Sequence, residues 1–330
     1  MRKAAPIALI AGLAIGIVGG ALTTRKIEKQ ETVTAVSSSS DVQEVSVSSS
    51  AGDGVEEDVY DPEQYEIFLE ESAHNKSVEA SDVDFLDVAS ETYAKIVNQS
   101  YPRHSYNVAM FKTDENGQRS YDSDKYTSRC GIDVSEFNGE IDWQQVADAG
   151  FEFAFVRLGY RGYGTDGALH LDARFEENLY GAFAAGLDVG VYFFAQAITE
   201  EEAVEEAEFV VEHLAGFDLQ LPVVYDPEAI QHDKARTDEV TGRQITTNAA
   251  YFCNEIEKAG YEAGYYANLK WEIFMLDMST LSDYMVWYAG YETTPRTPYA
   301  FDFWQYSDKG KVPGISENTD LDIQMIPIGE

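Results

Sequence analysis

The residues best suited to catalyse a reaction are two acids, Asp226 and Glu228, in the segment Val-Val-Tyr-Asp-Pro-Glu. Side chains two apart on a strand point to the same side, with Cα atoms about 6–7 Å apart. Because two carboxylates that face one pocket repel each other, one of them should hold its proton more tightly. Such a pair combines a proton donor with a carboxylate that stabilises positive charge, as acid-catalysed cleavage of a glycosidic bond requires. The ordinary alternative is a solvated pair of acids at a strand end.

The elements that would position these acids alternate between strand and helix from Cys130 onward. Asp142 and Asp172 are predicted to cap two helices, Thr199 opens a third with a capping box, and a fourth covers residues 243–259. Continuous apolar strands between helices are typical of a parallel sheet buried on both faces. Eight strands are predicted, over residues 131–135, 153–158, 188–194, 222–226, 263–267, 284–289, 301–306 and 321–324. The later helices shorten, which predicts an α/β fold, a closed TIM-like (β/α) barrel of (β/α)5(β)3 type with degenerate last helices.

Further side chains fall at the same rim, because the active site of such a barrel lies at the carboxyl ends of its strands. Asp133 ends the first predicted strand, and Asp320 directly precedes the last one. Tyr192, Tyr266 and Trp287 lie near the ends of the third, fifth and sixth strands. This convergence of acids and aromatics favours a catalytic interpretation of the central acid pair.

The N-terminal segments predict export rather than a folded core. An apolar run over residues 4–22 follows Arg2 and Lys3 and is near the length that crosses a bilayer, so residues 1–26 are predicted to be an uncleaved signal-anchor helix. A cleaved signal peptide is the alternative. Residues 27–64 are rich in serine and acids, which predicts a disordered stalk. We therefore expect a single-pass protein of the cell membrane with an extracytoplasmic catalytic domain, or a secreted protein if the segment is cleaved.

Residues 65–129 are predicted to form an N-terminal extension of unknown role, ahead of a catalytic barrel at residues 130–330. A hairpin is expected in this extension around the tight turn Asn116-Gly117. A helix is also expected, because five apolar residues have the spacing of one helix face. They are Leu86, Ala89, Tyr93, Ile96 and Val97.

The composition excludes some classes of partner. Asp and Glu total 59 against 23 Lys and Arg, and this net charge of −36 argues against nucleic acid, whose phosphates are neutralised by basic residues. The chain has no Cys-x-x-Cys pair and its five histidines are scattered, so a structural zinc site is not expected. Cys130 and Cys253 could form a disulfide in an oxidising compartment or remain two buried thiols.

Four motifs, in order along the chain, resemble glycoside hydrolase family 25, the N-acetylmuramidase lysozymes. They are Gly-Ile-Asp-Val-Ser-Glu-Phe-Asn-Gly-Glu-Ile-Asp-Trp over 131–143, Pro-Val-Val-Tyr-Asp-Pro-Glu over 222–228, Trp-Tyr-Ala-Gly-Tyr over 287–291, and Trp-Gln-Tyr-Ser-Asp-Lys-Gly-Lys-Val-Pro-Gly-Ile over 304–315, running on to Asp320-Leu-Asp322. The resemblance covers residues 130–330 and does not reach the first 129. It implies hydrolysis of the β-1,4 bond between N-acetylmuramic acid and N-acetylglucosamine in peptidoglycan, without a metal or organic cofactor.

The same resemblance implies a role for each site residue. Glu228 would be the proton donor, and Asp226 would stabilise the oxocarbenium ion or orient the substrate's own N-acetyl group as the nucleophile. Asp133 would complete the acidic floor of the groove together with Asp320. The implied substrate-binding residues are Asp320, Tyr192, Tyr266 and Trp287.

Two residues depart from the family's pattern without removing a catalytic group. Pro227 separates the two central acids where a small aliphatic residue is expected, and Asp322 stands where Asn is more usual. The extra acid could raise the pKa of Glu228 further. Two other functions stay open at this point. One is a non-catalytic wall-binding scaffold, which would not need an acid pair, and the other is a barrel glycosidase that cleaves another polymer such as chitin.

Overall fold

The computed structural model describes residues 85–87, 92–94, 101–230 and 233–329. The predicted signal-anchor at 1–26 and the predicted stalk at 27–64 lie outside these residues. Within the described ranges, no helix combines the length and the apolar character needed to cross a membrane.

The described residues of the N-terminal extension form two short antiparallel hairpins. Strands β1 (Phe85–Asp87) and β2 (Thr92–Ala94) pair with Leu86 opposite Tyr93, so the helix predicted through these two residues is wrong. Their helical spacing arose because cross-strand partners happen to lie seven positions apart along the chain. The second hairpin, β3 (Phe111–Thr113) and β4 (Arg119–Tyr121), encloses the predicted Asn-Gly turn and confirms that prediction.

Residues 101–125 pack directly on residues 130–330 rather than forming a separate module. Tyr101 and Tyr121 are buried in the main hydrophobic cluster. The hydroxyl of Tyr106 donates to the carbonyl oxygen of Phe301 at 2.7 Å, and Phe111 meets Trp304 edge-on at 5.2 Å. This part of the extension therefore contributes to the core of the domain at residues 130–330.

Nine strands form the main sheet, and eight of them close into a barrel. They are β5 (Tyr126–Val134), β6 (Phe153–Arg161), β7 (Leu169–Leu171), β8 (Asp188–Ala195), β9 (Val223–Pro227), β10 (Ala263–Asn268), β11 (Met285–Ala289), β12 (Phe303–Gly310) and β13 (Thr319–Pro327). The barrel order is β5-β13-β12-β11-β10-β9-β8-β6, and a parallel pairing of β6 with β5 closes it. Strand β7 pairs with β6 outside the barrel. All eight predicted strands are therefore present.

The last strand is antiparallel, whereas the sequence predicted a parallel sheet. Seven barrel strands are parallel, whereas β13 is antiparallel to both β12 and β5. Residues 311–318, all of them described, join β12 to β13 without a helix, and a connection this short can only turn the chain back. As a consequence β13 begins at the rim where the parallel strands end, and Asp320 lies opposite Asp133.

Four α-helices cover the outside of the first half of the barrel: α1 (Trp143–Asp148), α2 (Phe175–Ala184), α3 (Glu200–Leu214) and α4 (Gly242–Lys258). The predicted caps Asp142 and Thr199 each accept a backbone hydrogen bond at the start of α1 and α3. Asp172 lies two residues before the N-cap residue Arg174, and its Oδ1 accepts from the backbone N–H of Arg174 at 2.9 Å. Its Oδ2 accepts from Arg157 and from the backbone N–H of Glu136. After β10 only a π-helical turn, Trp271–Met275, remains.

The barrel interior is filled by aromatic and aliphatic side chains that alternate with outward-facing ones. The interior cluster consists of Phe153, Phe155, Leu221, Val224, Tyr266, Trp287, Ala289 and Phe303. The two cysteines belong to the outer packing and are both free thiols, with Cys130 Sγ donating to the carbonyl oxygen of Arg119 at 3.0 Å and Cys253 Sγ to that of Gly264 at 3.5 Å. Because the interior is packed, we expect the site at the carboxyl ends of the strands.

Candidate active site

Four of the predicted acids meet at the carboxyl ends of the parallel strands. Asp226 lies two residues beyond the interior residue Val224 on β9, so its side chain faces the same way. Glu228 is the first residue after that strand, while Asp133 and Asp320 sit opposite each other on β5 and β13. The convergence predicted from the strand ends therefore holds for these side chains.

Gln305 on β12 holds the Asp133 side chain in place. Gln305 Nε2 donates to Asp133 Oδ2 at 2.7 Å. The amide oxygen of the same glutamine accepts hydrogen bonds from the hydroxyls of Tyr266 at 2.9 Å and Tyr291 at 3.1 Å. Tyr266 is thus a neighbour of the acid cluster, linked to it through Gln305.

Trp287 lies beneath the site rather than on its surface. It is 1% exposed, stacks on Phe155 at 4.6 Å, and meets Tyr192 and Tyr266 edge-on at 5.7 and 5.1 Å. Its indole N–H donates to Asp322 Oδ1 at 2.9 Å. The tryptophan therefore fixes an acid and supports two tyrosines, of which only Tyr192 keeps part of its surface accessible.

Burial raises the proton affinity of the whole acid cluster. It raises the pKa of Glu228 from 4.5 to about 7. The pKa of Asp226 lies well above its usual value because of burial and of the negative charges of Glu228 and Asp133. Burial and the charge of Asp322 act in the same direction on the pKa of Asp133, and burial together with the charge of Asp133 raises the pKa of Asp320. Near neutral pH these acids therefore share protons rather than all being ionised.

One cation counteracts this effect at Asp226. The guanidinium of Arg157 lowers the pKa of Asp226 against the larger opposing effect of burial. Arg157 is itself held by Asp172, with Nε to Oδ2 at 2.8 Å, and by Glu136, with Nη2 to Oε1 at 3.2 Å. Arg157 therefore favours the ionised form of Asp226, while burial and the charges of Glu228 and Asp133 favour its protonated form, and the two central acids titrate as a coupled pair.

The arrangement provides a proton donor beside an electrostatic stabiliser. Oδ1 of Asp226 is buried and has no hydrogen-bond partner among the described residues. An unpaired buried acceptor is unfavourable, and an N–H or O–H of a bound molecule would relieve it. Across the described ranges, no three His, Cys, Asp or Glu side chains are arranged to hold a metal ion. The chemistry that these residues support is acid-assisted bond cleavage.

Sequence reasoning overlooks several residues that organise this rim. Gln305 and Tyr291 lie within motifs that resemble the family, and Arg157 lies on a predicted strand, but the sequence assigns none of them a role. Gln196, directly after β8, is also overlooked, although its side chain donates to the main-chain carbonyl oxygen of Glu228 at 2.8 Å. Strand-end position is the one available signal for Gln196, and it does not reveal the partner.

Comparison with known proteins points to the same chemistry. Residues 132–315 match the Glycosyl hydrolases family 25. The chain is similar to the autolytic lysozyme of Clostridium acetobutylicum, with 27% identity over 58% of this chain and 54% of that protein. It is also similar to lysozyme M1 of Streptomyces globisporus, with 28% identity over 58% of this chain and 65% of that protein. The chain thus spans less than two thirds of the length of either relative.

A solved structure supports the fold. The modular autolysin LytC of Streptococcus pneumoniae superposes with a TM-score of 0.54 and 22% identity, over 66% of this chain and 52% of that one. At this identity the likeness concerns the fold alone. The family match, by contrast, covers more than half of the 330 residues and includes Asp133, Asp226 and Glu228. The chain therefore belongs to the Glycosyl hydrolases family 25.

Proposed function

We propose that this protein is a lysozyme that cleaves the β-1,4 bond between N-acetylmuramic acid and N-acetylglucosamine in peptidoglycan. The observation that carries the proposal is the pair of acids at the end of β9, in which the half-buried Glu228, with its pKa raised to about 7, lies beside the buried Asp226. An acid with this pKa still carries a proton near neutral pH. The names of the two lysozyme relatives favour peptidoglycan as the substrate.

In this mechanism Glu228 donates its proton to the glycosidic oxygen as the bond to the anomeric carbon breaks. The leaving sugar departs with the new hydroxyl, and positive charge develops on the sugar that remains. Asp226 stabilises this charge, either directly or by accepting the N–H of the substrate's N-acetyl group, whose carbonyl oxygen then attacks the anomeric carbon. The unpaired Oδ1 of Asp226 is available for such an N–H. Water finally adds to the anomeric carbon and Glu228 recovers its proton.

The remaining rim residues position the substrate in this proposal. Asp133 and Asp320 form the acidic floor of the groove, and Tyr192 contacts the sugar. Tyr266 acts indirectly, through its hydrogen bond to Gln305. Trp287 acts from below by supporting both tyrosines. The barrel is proposed to be of (β/α)5(β)3 type. Its fifth helical segment is the π-helical turn after β10, and in the described part of the chain no helix follows β11 or β12.

The location of the protein is also part of the proposal. Residues 1–26 would hold it in the cell membrane with residues 130–330 on the outer side, or they would direct its secretion if they are removed. The apolar run over 4–22 with basic residues before it supports export. Peptidoglycan lies outside the cytoplasmic membrane, so this orientation is the one that would bring enzyme and substrate together.

The substrate assignment is tested by incubating the full chain with purified peptidoglycan and, separately, with chitin oligosaccharides. New reducing ends on muramic acid, identified by mass spectrometry of the released fragments, are the expected result. Cleavage of chitin with intact peptidoglycan would move the protein to another glycosidase specificity. If the folded protein binds peptidoglycan but releases no fragments, the result would favour a non-catalytic wall-binding scaffold over an enzyme.

A further inference from the structure

The ladder between β8 and β9 ends one residue before the proposed catalytic acid. Its last pair is Ala195 opposite Pro227, so Gln196 and Glu228 are the next residues on the two strands. Proline has no N–H, and it cannot donate to a neighbouring strand. Glu228 is the first residue beyond the paired part of β9.

Gln196 replaces the missing pairing with its side chain. Its Nε2 donates to the carbonyl oxygen of Glu228 at 2.8 Å, and its Oε1 accepts from Thr237 Oγ1 at 2.8 Å. A carbonyl oxygen can only accept, so the NH₂ end of the amide must face Glu228 and the oxygen must face the hydroxyl. With 1% of its surface exposed, the glutamine cannot exchange these partners for solvent.

The buried ion pair of Glu206 and Arg161 holds the backbone of Gln196. The backbone N–H of Gln196 donates to Glu206 Oε1 at 3.1 Å, and the same carboxylate oxygen accepts from Arg161 Nε at 2.8 Å. Glu206 is fully buried, and Arg161 also donates to the carbonyl oxygens of Gly167 and Glu202 at 2.8 and 2.9 Å. Gln196 is thus anchored to α3 and to the end of β6.

We propose that Gln196 is a positioning residue for the glycosidase reaction, which holds the main chain of Glu228 so that its carboxyl stays at the rim beside Asp226. This inference rests on the function proposed above. Gln196 does not touch the reacting atoms. Its effect is exerted through the conformation of Glu228, and the hydroxyl of Thr237 fixes the orientation of its amide.

The test uses Gln196→Met in the full chain, because methionine keeps the length and volume of the side chain and removes both amide hydrogen bonds. The kcat for peptidoglycan cleavage is expected to fall at least about tenfold, with KM within about twofold of wild type. The titration midpoint of Glu228, followed by ¹³C NMR of its carboxyl group, is expected to drop from about 7 towards its usual value. A residue that served folding alone would leave that midpoint unchanged.

Gln220→Met is the control for the same substitution away from the site, since this exposed glutamine accepts from the N–H of Val189 near the opposite end of β8. It should leave both kcat and the Glu228 midpoint at wild-type values. Thr237→Val removes only the hydroxyl that orients the amide, and is expected to lower kcat about two- to fivefold. This second variant carries the test if Gln196→Met does not fold.

Wild-type kcat and an unchanged Glu228 midpoint in Gln196→Met would overturn the proposal. A loss of kcat that merely equals the loss of folded protein, or that appears equally in Gln220→Met, would overturn it as well. If the wild type itself does not cleave peptidoglycan, the proposed function fails. The titration of Glu228 needs no substrate, so it still decides whether Gln196 positions that residue.

Discussion

Replacing Glu228 by glutamine is expected to stabilise the folded protein at pH 8, although it removes the proposed catalytic acid. Burial raises the pKa of this carboxyl from 4.5 to about 7. Between those two values the folded state binds a proton that the unfolded state has lost, so stability falls as the pH rises through this window. Glutamine carries no charge at any pH and is free of this loss.

The size of the effect follows from the pKa shift. One pKa unit corresponds to about 1.4 kcal/mol, so the shift from 4.5 to about 7 destabilises the wild type by up to about 3 kcal/mol at pH 8. Because the side chain keeps part of its surface accessible, we expect Glu228→Gln to be about 2–3 kcal/mol more stable than wild type at pH 8. The difference should be close to zero at pH 4, where the carboxyl is protonated in both states.

Urea unfolding of the two proteins at pH 4 and pH 8 measures this difference. Most other titrating groups are common to both proteins, so their contributions to the stability difference cancel. In Glu228→Gln, Asp226 loses a negative neighbour, which adds to the gain in stability at pH 8. The exposed Glu212 provides the control, and Glu212→Gln should change stability by less than about 0.5 kcal/mol at either pH. An equal difference at both pH values, or a less stable Glu228→Gln at pH 8, would refute the reasoning.

Three further outcomes are expected. The kcat/KM for glycan cleavage should fall above about pH 7 in a pH–rate profile, because Glu228 must carry its proton. Asp322→Asn should lower the pKa of Asp133 in a ¹³C NMR titration, because it removes a neighbouring negative charge. Arg161→Met leaves Glu206 without its buried partner and should cost about 3 kcal/mol or more in urea unfolding at pH 8, and less at pH 5, where that carboxyl is protonated. A kcat/KM that stays constant up to pH 9 would contradict the first expectation, and an unchanged Asp133 titration midpoint in Asp322→Asn would contradict the second. Equal losses of stability at pH 8 and pH 5 in Arg161→Met would contradict the third.

The fold was predictable where local signals are strong. Each of the eight barrel strands was marked by a stretch rich in apolar residues, and Asp142 and Thr199 correctly marked the starts of two helices. The direction of β13 could not be predicted, because the same apolar pattern fits either orientation and only the short preceding connection decides it. The helix expected through Leu86 and Tyr93 failed because spacing alone does not separate one helix face from two paired strands.

The acids of the site were predictable because they lie at strand ends, and such positions meet at one rim regardless of the details of packing. The residues that hold them were harder to predict. Gln305 contacts Asp133 across 172 positions of sequence, and Gln196 contacts the main chain of Glu228 rather than its side chain. The burial of Trp287 was equally hidden, since a strand-end aromatic can either face the substrate or support other residues.

The central claim is that Glu228 is the acid that cleaves the glycan, and the most direct test compares Glu228→Gln with Glu272→Gln on purified peptidoglycan. Glu272 is also buried, with its pKa raised to about 8, but it lies outside the acid cluster. Release of muramic acid reducing ends is expected to fall at least about 100-fold in Glu228→Gln and to stay at the wild-type rate in Glu272→Gln. Cleavage by Glu228→Gln at the wild-type rate would contradict the claim.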